Sequence, residues 1–181
     1  MKKLWAVCSM VCLSMASLAL AEESADIVSV MQFVGPVTWR VGDHMEYQIS
    51  IQFIGKYGTL TSDVTKEEGN AVWLRQHSVL PPKDDVQEML VNRSDGKVIK
   101  YIQNGQEQPY TDNPVQFISQ SDESVTVPAG VFHSKHVVGK TIKGTPIDIW
   151  QNSEATAIDG MLKTVIAGGS SIELVRFVRG Q

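Results

Sequence analysis

Between His44 and Phe53 the chain alternates strictly: Met45, Tyr47, Ile49, Ile51 and Phe53 are apolar, while His44, Glu46, Gln48, Ser50 and Gln52 are polar. A period of two puts successive side chains on opposite faces of an extended strand, so this segment belongs to a sheet with one face on a core and the other toward water.

Comparable runs follow at the spacing of about 8 to 12 residues typical of all-β domains. Strands are expected near 59–66, 71–79, 86–92, 97–103, 124–127, 131–142, 145–151, 161–167 and 171–178. Between them stand Glu68-Gly69-Asn70, Asp95-Gly96, Asn104-Gly105, Lys143-Gly144 and Gly168-Gly169, which supply the positive φ of tight hairpins and favour a meander. Pro81-Pro82-Lys83-Asp84-Asp85 reads as a loop within the domain. Two short helical pieces are expected. One starts at Asn113-Pro114 and carries Val115, Phe117 and Ile118; the other is a single turn over 153–160, capped by Ser153 and ended by Gly160.

A sheet of about ten strands must curl, split or close. Sandwiches favour Greek-key crossings, so a meander points to a strongly curved half-barrel or a closed barrel. The half-barrel, with one or two short helices over its concave face, is the architecture expected.

Met1-Lys2-Lys3, an apolar stretch to Leu20 and the Ala19-Leu20-Ala21 site before Glu22-Glu23 have the form of a cleaved export signal. A single β domain is expected over 22–181, with 22–27 flexible. Both cysteines, Cys8 and Cys12, fall in the signal, so the mature domain is expected to lack disulfides and thiol chemistry. No cysteine follows the cleavage site, which argues against a lipid anchor. No later stretch is apolar enough to span a membrane as a helix, and the expected location is the periplasm or the medium beyond it. Without residues 1–21, 160 residues remain, with 14 basic and 20 acidic side chains. That balance argues against nucleic acid or an anionic lipid surface as the main partner.

Toward the C-terminus come Val127-Pro128-Ala129-Gly130-Val131-Phe132, then Ile147-Asp148-Ile149-Trp150, Ser153-Glu154, Gly160-Met161-Leu162-Lys163 and Ile172-Glu173-Leu174. This order resembles bacterial envelope proteins related to the lipoprotein-carrier (LolA-like) superfamily, with its "V-P-A-G-x-F" strand, tryptophan strand and "G-G-L-V-K" segment. Trp39-Arg40-Val41-Gly42-Asp43 and Tyr47 look like the "W-x-V-G-D-x-x-x-Y" opening of the same proteins. Two departures stand out: His133 where many relatives have a cysteine, and Ala157-Ile158-Asp159 in place of a "V-P-x-G" turn. The resemblance implies a curved antiparallel sheet whose concave apolar face shelters acyl chains, with no cofactor and no catalytic residues.

The residues themselves offer little chemistry. His133 and His136 are three apart, so on a strand they face opposite ways and cannot share one metal ion. With His44 and His77 the only other histidines, ordinary surface or hydrogen-bonded roles are expected. Ser50 and Ser134 lie mid-strand and Ser170-Ser171 follows a Gly-Gly hairpin, so none sits in a nucleophile elbow. Glu67-Glu68, Asp84-Asp85 and Asp122-Glu123 fall in loops or turns without calcium-loop spacing. No glycine pattern fits a phosphate.

What remains is the apolar stripe: Met45, Tyr47, Ile49, Ile51, Phe53, Trp73, Met89, Val91, Tyr101, Phe132, Trp150 and Phe177, with Phe117 and Ile118 as lid residues. Core and hydrophobic ligand site use the same residue types, so two non-enzymatic readings stand side by side. One is a carrier for a lipid, a lipoprotein acyl chain or another hydrophobic ligand; the other is a filled domain docking on an envelope protein through strand edges or acidic loops. An unrecognised hydrolase is the third and weakest.

Overall fold

The computed structural model describes residues 36–181; the expected export signal and the stretch 22–27 expected to be flexible lie outside the described residues. The alternating segment forms β1 (His44–Ile51), in which Met45, Tyr47, Ile49 and Ile51 are buried and the polar residues between them are half-buried. On one side of β1 the chain runs outward through β2 (Gly55–Glu68), β3 (Ala71–Leu80), β4 (Lys83–Asn92), β5 (Val98–Gln103) and the two-residue β6 (Gln106–Glu107). On the other side lie β11 (Ser170–Val178), β10 (Met161–Ile166), β9 (Pro146–Gln151), β8 (Gly130–Lys140) and β7 (Gln116–Val127).

All eleven strands make one antiparallel sheet of order β6-β5-β4-β3-β2-β1-β11-β10-β9-β8-β7. Each wing is a meander, and the pairing of β1 with β11 joins them. Strands β6 and β7 are the two edges and do not pair with each other, so the sheet is open rather than a closed barrel. The turn between β5 and β6 uses the residues expected of it, with Asn104 at φ +51° and Gly105 at +79°.

Neither expected helix is there; the described residues contain none. Instead of following Asn113-Pro114 into a helix, the chain enters β7 at Gln116; Phe117 pairs with Gly139 of β8, and Ile118 is the bulged residue between Phe117 and Ser119. Three apolar residues give a short helix little face to bury, whereas the long β8 supplies a ladder of backbone partners. The segment 153–160 is a run of turns. Its cap is Asn152 rather than Ser153: Asn152 Oδ1 accepts from the N–H groups of Glu154 and Ala155, at 3.0 Å each. The loop expected after Pro82 is shorter than anticipated, because β4 begins at Lys83 and Asp84 reaches His77 Nε2 at 2.6 Å across the β3–β4 pair.

One apolar cluster fills a face of the sheet from β4 to β7. It includes Met45, Tyr47, Ile49, Leu60, Leu74, Met89, Val91, Ile147, Leu162, Ile172 and Leu174. Fully burying such a side chain contributes about 1.5–3 kcal/mol, which is how a domain without a disulfide among its described residues holds together. Strand β3 is apolar on both sides: Val72 and Leu74 enter this core, whereas Ala71 and Trp73 point the other way into a small second cluster with Leu90 and Ile102.

The β7–β8 pair also breaks simple alternation. Register is continuous from Gly130 to Lys140, yet Phe132 meets the core while His136, in the same phase, stacks on Trp150 among charged groups. Beyond Lys135 the pair has no third strand, and two-stranded ribbons twist more than sheets do, turning Val125, Val127 and Phe132 onto the core. The ribbon's tip reaches back to β11, where the Ala129 N–H donates to the Leu174 carbonyl at 3.0 Å.

Candidate functional site

The structure divides the residues of the expected cavity into four settings. Met45, Tyr47, Ile49, Ile51 and Met89 are enclosed in the core, none more than 4% exposed. Tyr101, Phe132, Trp150 and Phe177 are half-buried against it, and Phe132 meets Phe177 edge-to-face at 6.4 Å. Trp73 belongs to the opposite face, where its Nε1–H donates to Glu68 Oε2 at 2.9 Å and Lys66 Nζ stands 4.8 Å above the ring. Phe53 and Phe117 join neither group. Phe53 is 97% exposed in the turn after β1, at φ +70°, and Phe117 is 63% exposed on the outermost strand.

That outermost strand is the second feature. From Gln116 to Ser124 every residue of β7 is exposed, and only Val125 and Val127 are buried. Sheet edges present a row of unpaired N–H and C=O groups, and proteins usually blunt them by shortening or covering. The β6 edge is short in this way; β7 is twelve residues long and bears Phe117 and Ile118.

The third feature escaped sequence reasoning. A cleft of about 560 Å³ lies where three separate segments meet: Pro36–Trp39, the β7–β8 ribbon at Asp122 and His133–Lys135, and the 151–159 loop. The lead-in segment is pinned there by Asp43, whose carboxylate accepts the N–H groups of Arg40 and Gly180 at 2.8 Å each, and by Arg93, which bonds the carbonyl of Trp39 at 2.7 Å. The loop is tied by Asn152 Nδ2–H donating to the His133 carbonyl at 2.8 Å. Thus His133 contributes to the cleft while His136 stacks on Trp150 at 4.2 Å, with its ring nitrogens facing Asp148 at 2.7 Å and Glu123 at 3.2 Å. No group of three or more potential metal-ligating side chains converges among the described residues.

Asp159 is the cleft's unusual member. Although the residue keeps some exposure, burial of its carboxyl pushes the pKa up to about 6, against hydrogen bonds from the backbone N–H groups of Met161 and of Asp159 itself. Beneath it, burial raises the Tyr47 phenol well above its ordinary value, with the charge of Asp159 adding to the effect. Folding therefore favours the protonated acid. The Asp159 contribution to stability is full below pH 4, declines as pH rises toward 6, and leaves a net penalty above that. Asp159→Asn is expected to raise stability by about 2 kcal/mol at pH 7.5 and by almost nothing at pH 3.5. Urea unfolding at the two pH values checks this; an equal effect at both would show that the carboxyl is not desolvated.

No protein-family model matches this sequence, and no curated protein matches it either. Among solved structures, a protein named as exported, with a YmcC-like fold, from Bacteroides fragilis superposes with a TM-score of 0.50 at 14% identity, covering 82% of this chain and all of that one. The likeness is one of fold. A protein named as a lipoprotein from Parabacteroides distasonis gives a TM-score of 0.37 at 14% identity, over 82% of this chain and all of that one. PNGF-II gives 0.39 at 11% identity, matching 77% of this chain but only 28% of its own length.

Proposed function

We propose that this protein is a non-catalytic binding module of the bacterial envelope that docks on a partner protein, and that β7 is the docking element. The exposure of every residue from Gln116 to Ser124 on an edge strand carries this reading. An extended segment of a partner can complete the ladder there, with backbone hydrogen bonds supplying affinity and the exposed Phe117 and Ile118 selecting the sequence. The closed packing of the apolar face favours the same view: Met45, Tyr47, Leu74 and Leu174 have no exposed surface left to offer a ligand.

Acyl-chain carriage is the second reading, in keeping with the LolA-like resemblance. The bond from Ala129 to Leu174 supports it, because it fits a sheet curled into a half-barrel, and the half-buried Phe132–Phe177 pair would stand at the mouth of the concavity. Met45, Met89 and Met161 would let such an interior adapt to a flexible chain. The export signal expected at the N-terminus and the fold neighbour named as exported fit both readings.

Site-specific photo-crosslinking in cells tests the first. Probes at Phe117, Ser119 and Ser121 are expected to capture one common partner, and a probe at the exposed Lys97, near the other edge, none. Phe117→Asp is expected to remove the crosslinks from the remaining positions while changing stability by less than about 0.5 kcal/mol, as at exposed sites generally. Capture at Lys97 equal to that along β7 would contradict the assignment.

A further inference from the structure

We infer that the cleft between the Pro36–Trp39 segment, the β7–β8 ribbon and the 151–159 loop is a binding site for an alkylammonium group, received by the carboxylate of Asp159. The inference does not rest on the reading of β7: Asp122 is the β7 residue that lines the cleft, and it faces Lys135, whereas the amine is assigned to Asp159.

Several polar groups around the cleft already have partners within the protein. Asn152 is spent on the His133 carbonyl and on the N–H groups of Glu154 and Ala155. Ser134 donates to the Glu123 carbonyl at 2.9 Å, and Lys135 faces Asp122 at 3.7 Å. Arg179 donates to the Glu154 carbonyl. Asp159 differs. It takes the Met161 N–H at 3.1 Å and its own backbone N–H, and no cation or side-chain donor among the described residues meets it. A desolvated carboxyl of this kind gains most from a charged donor delivered by a ligand, because the low surrounding dielectric strengthens the pair.

Charge selects the same ligand class. Asp122, Glu154 and Asp159 line the cleft against Lys135 and His133, so with one acid already facing Lys135 the open valence is negative. A volume of about 560 Å³ is enough for an amine with an alkyl stem, and Pro36, Val37 and Ile158 give that stem apolar wall. The amine could be a small free molecule or the lysine side chain of a partner; the recognition chemistry is the same.

The test is a titration of the mature protein, followed by NMR at the amides of Asp159 and Met161 and the indole of Trp39. The probes are 1,5-diaminopentane and N-acetyl-Gly-Lys-Gly-amide, with the Nε-acetylated tripeptide as the uncharged control. Saturable shifts are expected with both charged probes and not with the control. Affinity is expected to fall about tenfold between pH 7.5 and pH 5 as the carboxyl takes up its proton. His133→Gln must keep that pH dependence, which ties it to Asp159 rather than to the histidine lining the same cleft. Asp159→Asn is expected to weaken binding at least tenfold while melting no lower than the parent, and Phe117→Asp to leave it unchanged. Tighter binding of the peptide assigns the amine to a partner's lysine, and tighter binding of the diamine to a free ligand. No saturable shift with either charged probe, or equal binding by Asp159→Asn, overturns the inference.

Discussion

Tyr47→Ala is expected to destabilise the domain by about 3–5 kcal/mol, the cost of a large cavity in a closed core. Tyr47 lies at the centre of β1, the strand that joins the two wings, and has no exposed surface. Its ring packs in the main cluster, and its hydroxyl, 3.3 Å from the Met161 carbonyl, links β1 to the start of β10. Removal opens space between two halves of the sheet that no nearby segment can refill. For a domain of this size the loss corresponds to a fall in Tm of about 10 °C or more, measurable by calorimetry. Tyr47→Phe separates the contributions: it keeps the ring and gives up only the hydroxyl's bonds, so about 1 kcal/mol is expected. Comparable effects of the two substitutions would mean that the polar contact, not packing, holds this position.

The second large effect is expected at Gly160. Its φ is +76°, and a Cβ built there would lie 2.3 Å from the backbone nitrogen of Ser153 and 2.5 Å from the carbonyl carbon of Asn152. These are backbone atoms, held by the bond from the Asn152 N–H to the Gly160 carbonyl at 2.8 Å, so they cannot rotate aside. Gly160→Ala should therefore cost about 3 kcal/mol or more, combining left-handed strain with a collision. Gly144→Ala is the control: φ there is +84°, but nothing lies within 4 Å, and only the strain of about 1 kcal/mol should appear. Urea midpoints of both variants decide the matter. Because Gly160 closes the loop that carries Asp159, its alanine variant should also lose the pH dependence assigned to that carboxyl, whereas Gly144→Ala should keep it.

How far the sequence could be read follows from which residues obey a single rule. β1 was legible because every apolar side chain in it serves one face. The hairpins after Asn104 and Lys143 were legible because left-handed turns admit few residue types. Trp73 was assigned to the wrong face because Ala71, Val72, Trp73 and Leu74 are all buried, and a strand covered on both sides has no period to reveal its phase. Phe117 and Ile118 suggested a helix because Asn113-Pro114 is a good helix start, and the length of β8 opposite, which settles the matter, is a non-local fact. Phe132 and His136 share an alternation phase but not an environment, since ribbon twist comes from the missing third strand and not from either residue. The cleft was not legible, although Ala157-Ile158-Asp159, part of its wall, stood out as a departure from the expected turn. Its walls come from segments more than 80 residues apart in sequence, from Trp39 to Asp122, which no local pattern connects.

A filled core with a partner held at the surface is tested most directly by native mass spectrometry of the mature protein purified from its own envelope. A bare polypeptide mass is expected after incubation with lipids, together with a stoichiometric protein complex that Phe117→Asp dissolves. A discrete mass excess that extracts as lipid, persisting in Phe117→Asp, would contradict the filled core and establish the interior as a carrier site.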